Sequence, residues 1–209
     1  MESKPKQSGL TTRKVVKDMK LILKDFEPMV KDPKNLWNGR DISNFFLRPR
    51  EAWANWLLCA VLQKLFGGHV TFADDEEGDG LMVDRGTGEY FHTEHVCALE
   101  IPNAPALPSG EQRVIDAIEH KIRKGEEYAR GKWLVVFFDG AGEYFRNKIR
   151  EAIKGRHNFV AVYCIGLLTS GPDGYSYAVT EFRDSLGDRS ITYRVDINSN
   201  FDGWRITLL

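Results

Sequence analysis

The chain has 209 residues, which suits one domain with a sizeable core and requires no second domain. Its 29 lysine and arginine residues nearly balance 30 aspartate and glutamate residues, which counts against a strong non-specific DNA-binding protein. Any nucleic-acid partner would have to meet a local basic patch. No apolar run approaches the roughly 18 residues of a membrane span and the polar start has no signal-peptide core, so we expect a cytoplasmic protein.

The first element in the chain is a predicted helix that ends near Phe26 and is capped by Thr11 or Thr12. Its apolar stripe consists of Val15, Met19, Ile22 and Phe26. Pro28 should end the helix, and residues 28–48 should form a loop. We expect this helix to cover a sheet from the outside.

The second helix begins at Pro49 and stops before Gly67, and it carries one apolar face. That face consists of Ala54, Leu57, Leu58, Val61, Leu62 and Leu65. Glu51 lies about 50° from the centre of the face, where a carboxylate needs a partner to be tolerated. Alternatively, Glu51 stays exposed and answers the positive end of the helix dipole. Trp53 and Trp56 should pack on the first helix or on the loop.

A β-hairpin follows a short strand at residues 69–73 and an acidic stretch at residues 74–78, which should be a solvated turn. Its predicted loop is Gly86-Thr87, and counting outward pairs Leu81 with His92 and Asp79 with Glu94. The last pair brings two carboxylates to about 5 Å between Cβ atoms, which destabilises a ladder unless a shared cation compensates. A register error of one residue, or a solvated hairpin end, would equally remove the conflict.

The rest of the chain alternates helices with apolar strands. The predicted helices cover residues 109–129, with Val114, Ile115, Ile118, Ile122 and Gly125 inward, and residues 143–154. The predicted strands cover residues 89–101, 132–139, 159–168, 175–182, 190–197 and 203–209. The strands at 132–139 and 159–168 should be parallel neighbours, and the last three should form an antiparallel extension. The three cysteines, Cys59, Cys97 and Cys164, should be buried and reduced.

This order of elements resembles the restriction-endonuclease-like superfamily, whose signature is PD-(D/E)XK. More closely, it resembles an uncharacterised bacterial family, a domain of unknown function, assigned to that superfamily as candidate endonucleases. The resemblance covers roughly residues 49–168 and implies an α/β (α+β) fold with a mixed central sheet flanked by helices. From the pattern of elements outside this range, we expect residues 1–48 to pack on the core and residues 169–209 to extend the same domain.

The resemblance implies roles for three acidic residues. Asp79 matches the first aspartate of the motif, Glu94 the acidic residue of its second half, and Glu51 the helical glutamate of many members. The superfamily's lysine should be at position 96, where this chain has Val96. In some members the basic group lies on the following helix, and Lys121 is the cation nearest the inward face there, about 70° from its centre.

The implied site would hold Mg²⁺ or Mn²⁺ through oxygen ligands from Glu51, Asp79 and Glu94. A bound ion would activate water and offset charge on a phosphate. His92 shares the strand face of Glu94 and could assist. The phosphate contacts would come from basic residues, for which the candidates are Arg48, Arg50, Lys121, Arg123, Lys124 and Arg130. The oligomeric state stays open, with a homodimer as one option.

Three hypotheses follow. The first is a metal-dependent nuclease acting on DNA or RNA, and the second is a nuclease fold that has lost its chemistry and binds nucleic acid or protein, which Val96 favours. The third is a transition-metal site of His92, Glu94 and His95, which strand alternation disfavours because it places the two histidines on opposite faces.

Overall fold

The computed structural model describes residues 14–38, 47–75, 78–98, 110–138 and 144–209. Its helices are α1 (Met19–Lys31), α2 (Pro33–Asn38), α3 (Pro49–Phe66), α4 (Gly110–Ile122), α5 (Glu126–Ala129) and α6 (Arg146–Ile153). Its strands are β1 (Val70–Ala73), β2 (Leu81–Asp84), β3 (Tyr90–Cys97), β4 (Lys132–Phe138), β5 (Ala161–Gly171), β6 (Gly174–Phe182), β7 (Ile191–Asn198) and β8 (Trp204–Leu208). A short 3₁₀ turn, Asp184–Leu186, precedes β7.

The described strands form one mixed sheet in chain order from β1 to β8. The pairs β1–β2 and β2–β3 are antiparallel, β3–β4 and β4–β5 are parallel, and every later pair is antiparallel. The chain therefore has a mixed α/β fold. The predicted parallel neighbours at β4 and β5 and the antiparallel C-terminal strands are confirmed. The parallel pair forms because the near-continuous apolar runs of β4 and β5 suit strands that helices cover on both faces.

Two helical layers cover the sheet, one on each face. Helices α1, α2 and α3 pack with Trp133, Val135 and Tyr163 in one core. Helices α4, α5 and α6 pack with Leu134 and Val136 in the other. Strand alternation thus sends neighbouring residues of β4 to opposite layers. Among the described residues, no helix is long and apolar enough to cross a membrane.

Helix α3 is buried on almost all sides, and the prediction of a single apolar face was wrong. Trp53 and Trp56 are fully buried and stack on each other, with ring centroids 5.2 Å apart. Trp56 Nε1 donates to the carbonyl of Met19 at 2.9 Å, which confirms the predicted contact with the first helix. Leu65, predicted on the buried face, is exposed. A helix that is apolar all round occupies the interior, and α3 lies between α1 and the sheet.

Helix α1 begins later and ends later than predicted. Asp18 caps it by accepting hydrogen bonds from the backbone nitrogens of Lys20 and Leu21 at 2.7 and 3.1 Å. Val15 precedes the helix and forms an isolated antiparallel β-bridge with Ala73, the last residue of β1. The helix continues through Pro28, and a short helix, α2, occupies part of the predicted loop. Thr11 and Thr12 lie outside the described residues.

The β2–β3 hairpin has the predicted register from Leu81 to Val83. Leu81 pairs with His92 and the next two pairs follow as counted. The loop is longer than the predicted two residues, because the backbone nitrogen of Gly88 donates to the carbonyl of Asp84. The Asp84 carboxylate also accepts from the backbone nitrogens of Gly86 and Thr87, and this side-chain turn replaces the predicted one.

The predicted helix at residues 109–129 is broken in two. Gly125, predicted to face inward, is exposed and has a φ of +96°, which ends the α4 segment and starts α5. In a continuous helix, Lys121 and Tyr128 would lie about 10 Å apart along the axis. The break instead brings the Tyr128 hydroxyl within 2.9 Å of Lys121 Nζ. Ser109 lies outside the described residues, and the predicted helix at 143–154 begins only at Arg146.

Candidate active site around Glu94

Glu94 is a buried carboxylate in the middle of β3, on the face covered by α4. Two lysines hold it: Lys132 Nζ lies 2.7 Å from Oε1, and Lys121 Nζ lies 3.2 Å from Oε2. The Tyr128 hydroxyl donates to Oε2 as well. Both Glu94 and Lys121 keep only 9% of their side-chain surface exposed. Burial of a carboxylate is tolerated here because opposite charges and hydrogen bonds compensate for the lost water.

These contacts decide the protonation state of Glu94. Burial by itself raises the pKa of the carboxyl group. The hydrogen bonds from Lys132 and Tyr128 and the positive charges of Lys121 and Lys132 act against burial, and the net result is a lowered pKa. The Glu94 carboxylate therefore stays ionised at neutral pH. The same carboxylate, together with burial, raises the pKa of Tyr128, which remains a hydrogen-bond donor.

Asp79 lies beside Glu94 and shares Lys121 with it. The Lys121 Nζ atom is 3.9 Å from Asp79 Oδ2, and this oxygen also accepts a hydrogen bond from the backbone nitrogen of His95 at 2.7 Å. The Asp79 side chain is 31% exposed, so it opens to solvent where Glu94 does not. Asp79 does not form the predicted ladder pair with Glu94, because its backbone nitrogen donates to the carbonyl of Thr93 and the recorded pairs begin at Leu81. The two carboxylates instead share Lys121, whose positive charge reduces the repulsion between them.

Asn55 of α3 fixes this arrangement from the other side of the sheet. Its side chain is fully buried; Nδ2 donates to the carbonyl of Asp79 at 3.0 Å, and Oδ1 accepts from the Thr93 hydroxyl at 3.2 Å. Gly80 makes the close approach possible, because a Cβ there would lie 2.4 Å from Asn55 Nδ2 and its φ is +133°. The ladder of β2 and β3 ends next to this contact.

Glu51 lies one helical turn before Asn55, at the start of α3. Its Oε2 accepts from the backbone nitrogen of Arg48 at 3.1 Å, as expected for a first-turn glutamate. Burial raises the pKa of the Glu51 carboxyl; the bond from Arg48 opposes the rise, and the negative charge of Asp79 adds to it. Glu51 thus accepts a hydrogen bond at the helix start, as the second interpretation expects, but it does not stay exposed, since only 13% of its side-chain surface is accessible. The negative charge of Asp79 also acts on it.

The three predicted metal ligands are only partly assembled. Glu94 and Asp79 meet at Lys121, and Glu51 is close enough to Asp79 for mutual repulsion. Across the described ranges, no three His, Cys, Asp or Glu side chains are grouped to hold a metal ion. The donor chemistry fits Mg²⁺ or Mn²⁺, because all three residues offer hard carboxylate oxygens. Glu94 would have to exchange a lysine contact for the ion.

The two histidines of β3 point in opposite directions, as alternation predicts. His92 Nδ1 lies 2.5 Å from Asp75 Oδ2, and the fully buried Asp75 side chain corrects the expectation of a solvated acidic turn. His95 Nε2 lies 3.0 Å from Asn55 Oδ1 in the layer under α3. His92 is therefore hydrogen-bonded to Asp75, and within the described residues it forms no ion pair with Glu94. A transition-metal site that uses both histidines has no support in this geometry.

His95 should make folding stability depend on pH. The pKa of His95 is lowered to about 3, and complete burial is the largest cause. The positive charge of Lys121 also lowers the pKa, by more than the negative charge of Glu94 raises it. An unfolded histidine titrates near 6.5, so between these values only the unfolded chain binds the proton, and stability falls as the pH drops. Acidification to pH 5 should cost about 2 kcal/mol through this residue.

We expect His95→Gln to remove this contribution, because glutamine can still donate to Asn55 but does not titrate. Urea unfolding at pH 7.5 and pH 5 measures it as the difference between the two free energies of unfolding. His120→Gln is the matched control, since His120 is exposed on α4. The same loss on acidification in wild type and His95→Gln would contradict the expectation.

The predicted nucleic-acid-binding residues flank this site at two helix ends. Arg48 is exposed before α3, and the charge of Arg50 reaches Glu51, His95 and Cys97. Arg123 is exposed after α4. Lys124 Nζ lies 3.3 Å from the Tyr128 hydroxyl and 4.5 Å from the centroid of the Tyr128 ring. Lys124 is therefore next to the tyrosine that donates to Glu94.

Three members of the site were missed from the sequence: Asn55, Tyr128 and Lys132. Asn55 was detectable as a polar residue within an otherwise apolar helix segment, one turn after Glu51. No sequence pattern indicates Tyr128 or Lys132. The helix break at Gly125 brings Tyr128 to Glu94, and the parallel register of β3 and β4 brings Lys132 there. Lys132 pairs with His92 across β3 and β4, two residues before Glu94 on the same face.

A comparison of the chain with models of known protein families gave no match. A comparison with curated protein sequences also gave none.

Proposed function

We propose that the protein is a metal-dependent nuclease that hydrolyses phosphodiester bonds in DNA or RNA. The observation that carries the proposal is Lys121, whose Nζ lies 3.2 Å from Glu94 and 3.9 Å from Asp79. This pair of carboxylates with one shared lysine supplies the groups that the restriction-endonuclease-like fold requires. Lys121 lies on the helix after β3 and would take the part of the lysine missing at Val96.

The proposed fold rests on the order of elements around this site. Helix α3 precedes three antiparallel strands, helix α4 follows, and β4 then pairs parallel to β3. This succession supports a restriction-endonuclease-like core. Glu51 lies at the start of α3, Asp79 just before β2 and Glu94 in β3. The resemblance expects acidic residues at these positions, which supports the proposal.

Each residue has a distinct task in the proposed reaction. Asp79 and Glu94, with Glu51 as a third donor, would hold Mg²⁺ or Mn²⁺, which when bound lowers the pKa of water and offsets negative charge on the phosphate. Lys121 would donate to a phosphate oxygen bound beside the two carboxylates by exchanging its present contact with Glu94 or Tyr128 for it. Lys132 and Tyr128 keep Glu94 ionised and fixed in position.

The test is incubation of the pure protein with single-stranded and duplex DNA and RNA, with Mn²⁺ or with EDTA. We expect cleavage with Mn²⁺, none with EDTA, and none in Asp79→Ala or Glu94→Ala. Loss of the free Mn²⁺ signal in electron paramagnetic resonance gives an independent measure of ion binding. No cleavage by the wild type, or equal cleavage by both variants, rejects the nuclease.

The second candidate is a nuclease fold without catalysis that binds nucleic acid or protein. The observation that favours it is the occupation of both Glu94 oxygens by lysines, with Val96 at the usual lysine position. It predicts nucleic-acid or protein binding without turnover and no uptake of Mn²⁺. Metal-stimulated hydrolysis that Glu94→Ala abolishes would reject this candidate.

A further inference from the structure

A cavity of about 680 Å³ lies where the start of α6 meets the segment between the 3₁₀ turn and β7. Three arginines line it: Arg146 and Arg150 from α6, and Arg189 from the segment before β7. Arg146 is tied to the sheet, because its guanidinium donates to the Thr192 hydroxyl at 2.7 Å. We call this space the arginine cavity.

The arginines of this cavity differ from the other cations of α6 and its C-terminal end. Three neighbouring cations are neutralised at close range by acidic residues: Lys148 by Glu111 at 2.7 Å, Lys154 by Asp188 at 2.7 Å and Arg156 by Glu119 at 2.9 Å. None of the three cavity arginines forms an ion pair with a carboxylate in the part of the chain that the structure describes. Asp188, the one acidic residue of the lining, already has Lys154 as its partner.

An aromatic ring completes the lining. Phe145 precedes α6 and keeps 43% of its surface exposed, although Lys148 Nζ lies 4.8 Å from its ring centroid. Asn147 and Ser190 add hydrogen-bonding groups. Guanidinium groups bind phosphate in a fork of two hydrogen bonds, and an exposed aromatic ring stacks on an unpaired base. A duplex would offer the phosphates but would keep its bases inside the helix.

We propose that the arginine cavity binds single-stranded nucleic acid, with phosphates on Arg150 and Arg189 and a base against Phe145. The proposal names the substrate form of the nuclease proposed above and rests on that function. Helix α6 packs in the same layer as α4, and Lys148 meets Glu111 in the first turn of α4. Lys121 follows Glu111 ten residues later, about 15 Å along the helix, so a single strand of a few nucleotides could reach from the arginine cavity towards Lys121.

The test measures binding without cleavage. A fluorescent thymidine oligonucleotide about twelve nucleotides long, long enough to occupy several phosphate contacts, is titrated with protein in EDTA and followed by anisotropy. We expect Arg150→Gln/Arg189→Gln to weaken binding about tenfold and to reduce the slope of log affinity against log salt by about 1.4. Phe145→Ala should weaken binding at every salt concentration and leave that slope unchanged, because stacking releases no counterions.

The matched control is Lys20→Gln/Lys64→Gln, which removes the same charge from exposed positions on α1 and α3. It should change the affinity by less than about twofold, since only long-range charge is altered. Circular dichroism and thermal unfolding confirm that each variant is folded, and Arg146 is left intact because it bonds Thr192.

Equal losses in the arginine variant and the lysine control, no loss in either, or tighter binding to duplex than to the single strand would each overturn the proposal. Arginine-dependent binding by a protein that never cleaves with Mn²⁺ supports the cavity and counts against the nuclease. Mn²⁺-dependent cleavage with binding that is indifferent to these arginines supports the nuclease and overturns the cavity proposal.

Discussion

Replacing Lys121 by methionine is expected to reduce Mn²⁺-dependent cleavage by about 10³-fold, within the range that a positioned catalytic group contributes. The ammonium group of Lys121 lies near both carboxylates, at 3.2 Å from Glu94 and 3.9 Å from Asp79. Methionine keeps the apolar stem that packs in this buried position but removes the charge. Cleavage rates at saturating substrate separate this loss from weaker binding.

Lys132→Met is the matched comparison, because it removes an equal charge from the same carboxylate. Lys132 lies 2.7 Å from Glu94 Oε1 but forms no ion pair with Asp79 in the described structure. We expect a loss of no more than about tenfold, as for a residue that acts by positioning Glu94. Equal losses of cleavage rate in the two variants would show that only the total positive charge around Glu94 affects the rate and that Lys121 has no catalytic role of its own. An active Lys121→Met protein would remove the proposed substitute for the lysine missing at Val96.

Local patterns predicted much of the fold, and they also predicted that Lys121 lies near the inward face of α4. The apolar runs of β4 and β5 indicate strands covered on both faces, and the turn between Leu81 and His92 sets the hairpin register. The helical wheel of α4 identified Lys121 as the inward cation, and the structure places it against Glu94. These features depend on residues within one element or on two adjacent strands.

The missed features depend on local competition or on contacts distant in sequence. Asp18 caps α1 and starts it after Val15, although the apolar stripe alone extends further back. Gly125 was counted as one more inward position, whereas its positive φ breaks the helix. Lys132 reaches Glu94 through the parallel register of β3 and β4, which no short-range pattern specifies. The periodicity of the apolar residues likewise did not predict a role for Asn55.

Replacing Asn55 by alanine is expected to lower the free energy of unfolding by about 3 kcal/mol, because two buried groups and one partly buried group lose their partner at once. Asn55 donates to the carbonyl of Asp79 at 3.0 Å and accepts from the Thr93 hydroxyl at 3.2 Å, and His95 Nε2 lies 3.0 Å from its Oδ1. The groups of Thr93 and His95 are buried in β3, where water replaces the lost bond poorly, and the Asp79 carbonyl is partly buried beside it.

Gln63→Ala on the same helix is the control for one amide hydrogen bond. Gln63 donates to the carbonyl of Val70 at 2.7 Å in a partly buried position, and its loss should cost about 1 kcal/mol. Urea unfolding of both variants measures the difference. Because Asn55 also anchors the carbonyl of Asp79, cleavage by the folded Asn55→Ala protein should fall, whereas Gln63→Ala should cleave like wild type. Equal unfolding free energies for the two variants would show that Asn55 is an ordinary buried amide with no organising part in the site.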